Sequence, residues 1–207
     1  MNAPSAWKGA PVEPATLEGQ TVRLEPLSLQ HAPDLYTAGQ DSDIWTYLAD
    51  PSEPFASEKA ALNWVEHALG EERASVRIPF AIVHQTLGKA IGSTSYFYET
   101  RWANATLEIG STWLNPTYFR TRVNTECKHL LLTHAFETLK AIRVELMTDV
   151  RNTRSQKAIE RLGAVKEGVY RAHMLRNSGF RRDSVYYSIL DSEWPAVKTR
   201  LTNLLRQ

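Results

Sequence analysis

Residues 105–125 read Ala105-Thr106-Leu107-Glu108-Ile109-Gly110-Ser111-Thr112-Trp113-Leu114-Asn115-Pro116-Thr117-Tyr118-Phe119-Arg120-Thr121-Arg122-Val123-Asn124-Thr125, and this stretch decides how the rest is assembled. Ala105 to Leu114 has the composition of a strand, and Asn115-Pro116 breaks it. A short polar loop, Phe119 to Asn124, follows. Leu130, Leu131, Leu132, Ala135, Phe136 and Leu139 then predict a largely buried helix from about Thr125 to Leu139, with Asn124 as its N-cap. A strand that breaks into a polar loop and restarts as a helix presents unpaired N–H groups and the positive end of a dipole, which favours phosphate. Arg120 and Arg122 add positive charge. The plainer reading is an ordinary capped helix with solvated arginines. The loop lacks the glycines of a Walker motif or a dinucleotide fingerprint, which disfavours nucleoside triphosphates and NAD.

On the N-terminal side, Val22 and Leu24 alternate with charged residues and predict a strand ended by Pro26. Ser28 caps a helix ending near Gly39, and a second helix runs from Ser57 with Ala61, Leu62, Val65, Ala68 and Leu69 as its apolar stripe. Phe80 to Val83 and Ile91 to Tyr98 are strands that form a meander with 105–114. On the C-terminal side, Arg143 to Val150 is a strand and Asn152 to Leu162 a helix closed by Gly163. Val169–Leu175 and Ser184–Leu190 form a hairpin around Asn177-Ser178-Gly179, and a last amphipathic helix carries Trp194, Val197 and Leu201. Residues 1–16, with three prolines among small residues, read as a mobile tail, and 17–207 as one domain.

The chain has 207 residues, 43% hydrophobic and 23% charged, ordinary globular usage that excludes disorder and fibrous repeats. One cysteine, Cys127, rules out an internal disulfide or a zinc ribbon and points to a reducing, cytoplasmic setting. No apolar run suits a signal peptide or a membrane span. Net charge is +1, which argues against a dedicated nucleic-acid binder, but the average hides a split. Residues 1–100 hold 6 Lys+Arg against 13 Asp+Glu, and residues 101–207 hold 18 against 10. Were the halves to face each other across a cleft, the C-terminal wall would suit a polyanion and the N-terminal wall a cation.

Asn152 and Ser155, three apart at a helix start, share a face. Glu108 stands mid-strand between Leu107 and Ile109 and faces either a cleft or the open side of a sheet. Cys127, with no His or Asp partner nearby in sequence, reads as a packed residue. The six histidines have no metal-ligand spacing, so no metal is expected. Ile44-Trp45-Thr46-Tyr47-Leu48, between two helices, offers Trp45 and Tyr47 as a pocket wall, a core plug being the plainer alternative.

The element order and three stretches together resemble the GNAT superfamily of acyl-CoA N-acetyltransferases, in its ribosomal-protein N-terminal acetyltransferase-like branch. The stretches are Leu107-Glu108-Ile109-Gly110 with Trp113-Leu114-Asn115-Pro116, then Arg120 to Cys127, then Asn152-Thr153-Arg154-Ser155-Gln156-Lys157-Ala158-Ile159-Glu160-Arg161-Leu162-Gly163-Ala164. The resemblance spans roughly residues 17–191. It implies an α/β (α+β) fold: a twisted, mostly antiparallel mixed sheet with flanking helices, whose central strands 105–114 and 143–150 run parallel and splay. It implies that acetyl-CoA is the acyl donor. The backbone of Thr112, Trp113 and Leu114 would pair with the pantetheine arm, and Arg120, Thr121, Arg122, Val123, Asn124 and Thr125 would cradle the pyrophosphate. Asn152 and Ser155 would lie beside the pantetheine and sulfur, and Lys157 near the entrance. Phe119, Arg122 and Asn124 stand where the family's loop carries Gln or Arg, Gly, and Gly or Ala; glycine at the central place permits positive φ.

The activity implied is acetyl transfer to a primary amine, a peptide N-terminus or a small molecule, by direct attack in a ternary complex. Glu108 is the candidate base and Ser155 the candidate proton donor to the thiolate. Arg122 motivates the alternative of a catalytically silent module that binds a CoA ester. A homodimer stays open.

Overall fold

A computed structural model describes residues 12–48, 53–99, 102–176 and 179–206. Eight strands form one sheet: β1 (Leu17–Glu18), β2 (Val22–Pro26), β3 (Arg77–His84), β4 (Lys89–Phe97), β5 (Thr106–Leu114), β6 (Arg143–Asp149), β7 (Val165–Leu175) and β8 (Arg181–Leu190). Their order is β1-β2-β3-β4-β5-β6-β8-β7, antiparallel at every step except β5 beside β6. The helices are α1 (Ala32–Ala38), α2 (Glu58–Arg73), α3 (Val123–Thr133), α4 (Thr153–Leu162) and α5 (Trp194–Arg206). This is the mixed, mostly antiparallel sheet expected, with its one parallel pair at the expected place.

Alternation along β3 shows why both faces are covered. Ile78, Phe80 and Ile82 enter a core shared with Leu131 and Leu132 of α3 and Leu201 of α5. Ala81 and Val83 point the other way, into a core built with Leu35 of α1 and Val65 of α2. Trp64 of α2, absent from the stripe read in sequence, is buried there too.

The parallel ladder is short: Thr106 pairs with Arg143, Leu107 with Val144, Glu108 with Glu145, and the pairing stops. Beyond Glu108, β5 pairs only with β4 and β6 only with β8. On its β4 side β5 carries a bulge between the Ser95–Gly110 and Ser93–Trp113 pairs, with Ser111 at φ 46°. Opposite it, a β-carbon on Gly92 would run into the Trp113 carbonyl, so the β4 backbone fits closely only as glycine. The splay and the bulge open a slot at the middle of the sheet.

Local readings need four corrections. The helix after the loop begins at Val123, because the Glu126 N–H already bonds the Arg122 carbonyl at 2.9 Å and the Thr121 hydroxyl accepts from the Val123 N–H at 3.3 Å. Arg122, not Asn124, is therefore the N-cap. The same helix changes at His134–Thr138 to a π-helical turn. The terminal hairpin is longer than expected, since β7 starts at Val165; Asn177 and Ser178 of its turn lie outside the described residues. Residues 1–11 of the stretch read as a tail also lie outside them, while Val12 packs against the first core.

Candidate active site

The slot opens into a cavity of about 780 Å³. One end is framed by the β5 bulge, the loop before α3 and the start of α4. Ser111 to Leu114, Phe119, Arg120, Thr121, Asn124, Asn152, Ser155 and Lys157 line it. Arg120 is held at φ 61°. Arg154 stacks its guanidinium over the Phe119 ring at 4.2 Å, and Arg161 donates to Thr125 Oγ1 at 2.8 Å. Lys128, on the second turn of α3, reaches across to Thr112 Oγ1 at 2.6 Å. Burial pushes its ammonium down to about 8. These cations all come from the basic half of the chain. Lys128 and Arg161 are held by Thr112 and Thr125, while Arg120, Arg154 and Lys157, together with first-turn N–H groups of α3 that the helix cannot bond internally, suit a polyanion.

Asn152 caps α4 through its side-chain oxygen, which accepts the Ser155 N–H at 3.0 Å. That bond fixes the Asn152 side chain and sets both residues on one rim of the cavity. The Ser155 hydroxyl makes no hydrogen bond to the described residues, so it is available to a ligand.

Glu108 stands at the last parallel pair, 6% exposed, with its carboxylate beside Gly110 and its backbone opposite Phe97 of β4. Arg182 of β8 feels its charge; burial pulls that guanidinium below its ordinary range. Asp149, fully buried, accepts from the Arg151 backbone and guanidinium. Arg77 bridges Glu71 at 2.6 Å and Ser95 at 3.3 Å. Tyr47, Leu48, His173 and Tyr186 complete this second end. His173 Nδ1 contacts Ser184 Oγ at 3.0 Å and its Nε2 the Tyr186 hydroxyl at 3.2 Å. Arg176 donates to the Tyr47 carbonyl at 2.7 Å and to that of Leu48, tying the hairpin to the loop after α1.

Most residues singled out in sequence therefore meet in one cavity: Tyr47, Glu108, Thr112, Arg120, Thr121, Asn124, Asn152, Ser155 and Lys157. Trp113 and Leu114 line it too, although their side chains lie in the cores. Four do not. Trp45 is 1% exposed, donates its indole N–H to the Gly39 carbonyl at 2.9 Å and packs on Phe55 and Trp113; it is a core plug, not a substrate wall. Val123, the first residue of α3, is buried in the first core, and Thr125 is taken by Arg161. Arg122 has ordinary helical dihedrals, φ −69° and ψ −16°, and its guanidinium donates to the Leu205 carbonyl of α5. The positive φ of this loop falls at Arg120, two residues earlier. Arg122 thus leaves the cradle open, which removes the motive for a silent module. Cys127 is fully buried, and burial pushes its thiol up to about 12, against nucleophilic use.

Sequence reasoning missed Lys128, Arg154, Arg161, Arg182, His173 and Tyr186. Arg154 and Arg161 stand within the 152–164 stretch, and Lys128 left a signal as a lysine on the buried side of α3, between Cys127 and Leu131.

A splayed parallel pair with a bulged strand, a cationic helix start at one end and a buried carboxylate at the other define an acyl-CoA-dependent transferase. The model of the acetyltransferase (GNAT) domain matches residues 21–165, and the chain belongs to that family, whose members move an acetyl group from acetyl-CoA. A GCN5-related N-acetyltransferase from Brucella melitensis superposes with a TM-score of 0.88 at 32% identity, over 96% of this chain and 89% of that one. RimJ of Mycobacterium smegmatis, solved in complex with CoA-disulfide, shares the fold at a TM-score of 0.79 and 19% identity, over 92% of this chain and 95% of that one. A Bacillus subtilis (strain 168) protein named "Putative ribosomal N-acetyltransferase YdaF" is 36% identical over 95 residues. That match spans 46% of this chain and 51% of YdaF.

Among the described residues no helix is long and apolar enough to cross a membrane, and no group of three or more His, Cys, Asp or Glu side chains could hold a metal ion.

Proposed function

We propose that this chain acetylates a primary amine, with a peptide N-terminus as the acceptor class, in a ternary complex with acetyl-CoA. The observation that carries the reading is Glu108: a buried carboxylate at the splay, in the same cavity as Ser155 and the α3 cradle. The similarity to a protein named as a ribosomal N-acetyltransferase supports a protein acceptor. A Tyr47–Leu48 wall backed by Glu71 and Glu108 suits an amine with an apolar neighbour.

The donor supplies an activated thioester when bound. Arg120, Asn124, Arg154, Lys157 and the α3 first turn would hold its phosphates. The unpaired edge of β5 beyond Glu108 would take its amide-bearing arm. Glu108 removes the proton that a neutral-pH amine carries, exposing the lone pair. Ser155, whose hydroxyl bonds no described residue, passes a proton to the sulfur as it leaves and takes in return the one that the acylated nitrogen sheds. Tyr47, Leu48 and the Arg176 clamp wall off water from this end.

The test is release of free thiol from acetyl-CoA with a panel of acceptors: peptides with free N-termini, the same peptides blocked, polyamines and aminoglycosides. Acetylation of free but not blocked peptides is the expected result. Binding of acetyl-CoA with no turnover on any amine would instead favour the silent module.

A further inference from the structure

Lys128 is a buried cation that the roles of Glu108 and Ser155 leave unused. It is 5% exposed and lines the cavity. Of its three ammonium donors, one goes to Thr112 Oγ1 at 2.6 Å; no other described residue takes the remaining two. Thr112 is itself fixed at the β5 bulge by the Thr94 hydroxyl at 2.8 Å.

The charged groups around it do not neutralise it. On its own helix, Glu126 is occupied by the backbone N–H groups of Gln20, Thr21 and Val22, and Cys127 is a neutral thiol. From α4 comes another cation, Arg161, bonded to Thr125. From β5 come Thr112 and, nearer the other end of the cavity, Glu108, whose charge acts on Arg182. A desolvated charge with one hydrogen bond and no counterion is costly to keep. The cost is offset when negative charge forms beside it in a low-dielectric site, as it does when a thioester breaks.

We propose that Lys128 supplies the positive charge that stabilises the donor's thiolate as the C–S bond breaks, with Thr112 holding its ammonium at the bulge. The proposal rests on the reading that acetyl-CoA binds in this cavity. In the step, the amine lone pair that Glu108 has freed forms the C–N bond, the C–S electron pair leaves on sulfur, and the second proton, shed by the acylated nitrogen, passes through the Ser155 hydroxyl to that sulfur. Negative charge forming on the sulfur raises the Lys128 ammonium back above the value of about 8 that burial alone gives it, so the lysine acts as the electrostatic partner of the thiolate.

The experiment needs no acceptor. Free CoA is bound to the wild type, to Lys128→Met and to Thr112→Val, and its thiol is titrated by the ultraviolet absorption of the thiolate. Cys127, pushed up to about 12, stays silent over the range read. In the wild type the bound thiol should ionise at least one pH unit below free CoA, a tenfold shift. Lys128→Met should return it to within a few tenths of a unit of free CoA while changing CoA affinity less than about threefold. Thr112→Val should lose part of the shift, and it decides the matter should the methionine variant not fold. With acceptor present, Lys128→Met should lower kcat at least tenfold with little change in the KM for acetyl-CoA.

Identical thiol titrations in wild type and Lys128→Met overturn the proposal. Equal loss of affinity for CoA and for 3′-phospho-ADP, with the thiol titration unmoved, makes Lys128 a phosphate contact and overturns it too. Failure of the wild type to bind CoA at millimolar concentration overturns the reading of the cavity itself, and the proposal with it.

Discussion

The Glu126 carboxylate lies 2.7 Å from the backbone nitrogen of Gln20, and the amides of Thr21 and Val22 follow at 2.9 and 3.1 Å. One acid on α3 thus satisfies three successive N–H groups from the β1–β2 turn to the first residue of β2. A β-carbon on Gly19 would collide with the Val22 carbonyl and approach the same carboxylate. This contact anchors the helix whose first turn lines the cradle.

Replacing Glu126 with Ala strands those three donors and should cost roughly 3 kcal/mol, since each unmet donor costs about 1 kcal/mol or more. For a chain of this size that is a fall of about 6–12 °C in Tm. Thermal unfolding followed by circular dichroism reads it, and an unchanged midpoint would show the turn to be held by other contacts.

Glu108→Gln keeps the shape of a side chain already buried at the splay and removes its basicity. Turnover should fall roughly 10²–10⁴-fold with CoA affinity intact. Ser155→Ala should likewise lower turnover while acetyl-CoA binding holds, because the bond from Asn152 to the backbone at 155 survives the change. Steady-state kinetics beside calorimetric titration separate the two quantities. Full activity of Glu108→Gln would assign the proton to another group.

Trp45 and Tyr47 are two residues apart and should behave oppositely. Trp45→Ala opens a hole among Phe55, Trp64 and Trp113 and should destabilise by about 3–5 kcal/mol. Tyr47→Ala faces the cavity and should raise the KM for the acceptor several-fold with Tm nearly unchanged. Urea unfolding and acceptor titrations check the pair; equal stability losses would contradict the assignment.

Arg122→Gly removes a side chain that turns toward Leu205, at a position with no positive φ to relieve. Affinity for acetyl-CoA should change less than about tenfold, equivalent to about 1.4 kcal/mol. Abolished binding would make the side chain a principal phosphate ligand after all. Tightening by orders of magnitude would make it a block.

The residues explain which of these features sequence could reveal. Strands with one apolar face, such as Ile78 to Val83, carry their period in the chain, and Ser57 and Asn152 announce helix starts by side chains that do cap. β7 reads short in the sequence because most of its residues are exposed at the sheet edge, so Val165 to Gly168 shows no alternation. Asn124 has a capper's composition, yet the Thr121 hydroxyl took the Val123 N–H first. Glu108, Asn152 and Ser155 were legible because they sit in contiguous motifs. Arg182, His173 and Tyr186 reach the cavity from the far hairpin, a juxtaposition only the β6–β8–β7 order creates. Trp45 shows the limit of composition: an aromatic loop residue lines a pocket or fills a core according to neighbours far along the chain, here Trp113.

The three-pair ladder between β5 and β6 has a further consequence for how the molecule comes apart. Strands β1 to β5 form one antiparallel block and β6, β8 and β7 another, and the sheet is continuous between them only through Thr106 to Glu108. The first block lies largely in the acidic half of the chain and the second in the basic half. Amide hydrogen exchange should therefore resolve two cooperative units, with the backbone beyond Glu108 on β5 exchanging faster than the ladder before it. A ligand lodged in the slot touches both blocks, so occupancy should slow exchange in the two together and merge them into one unfolding unit.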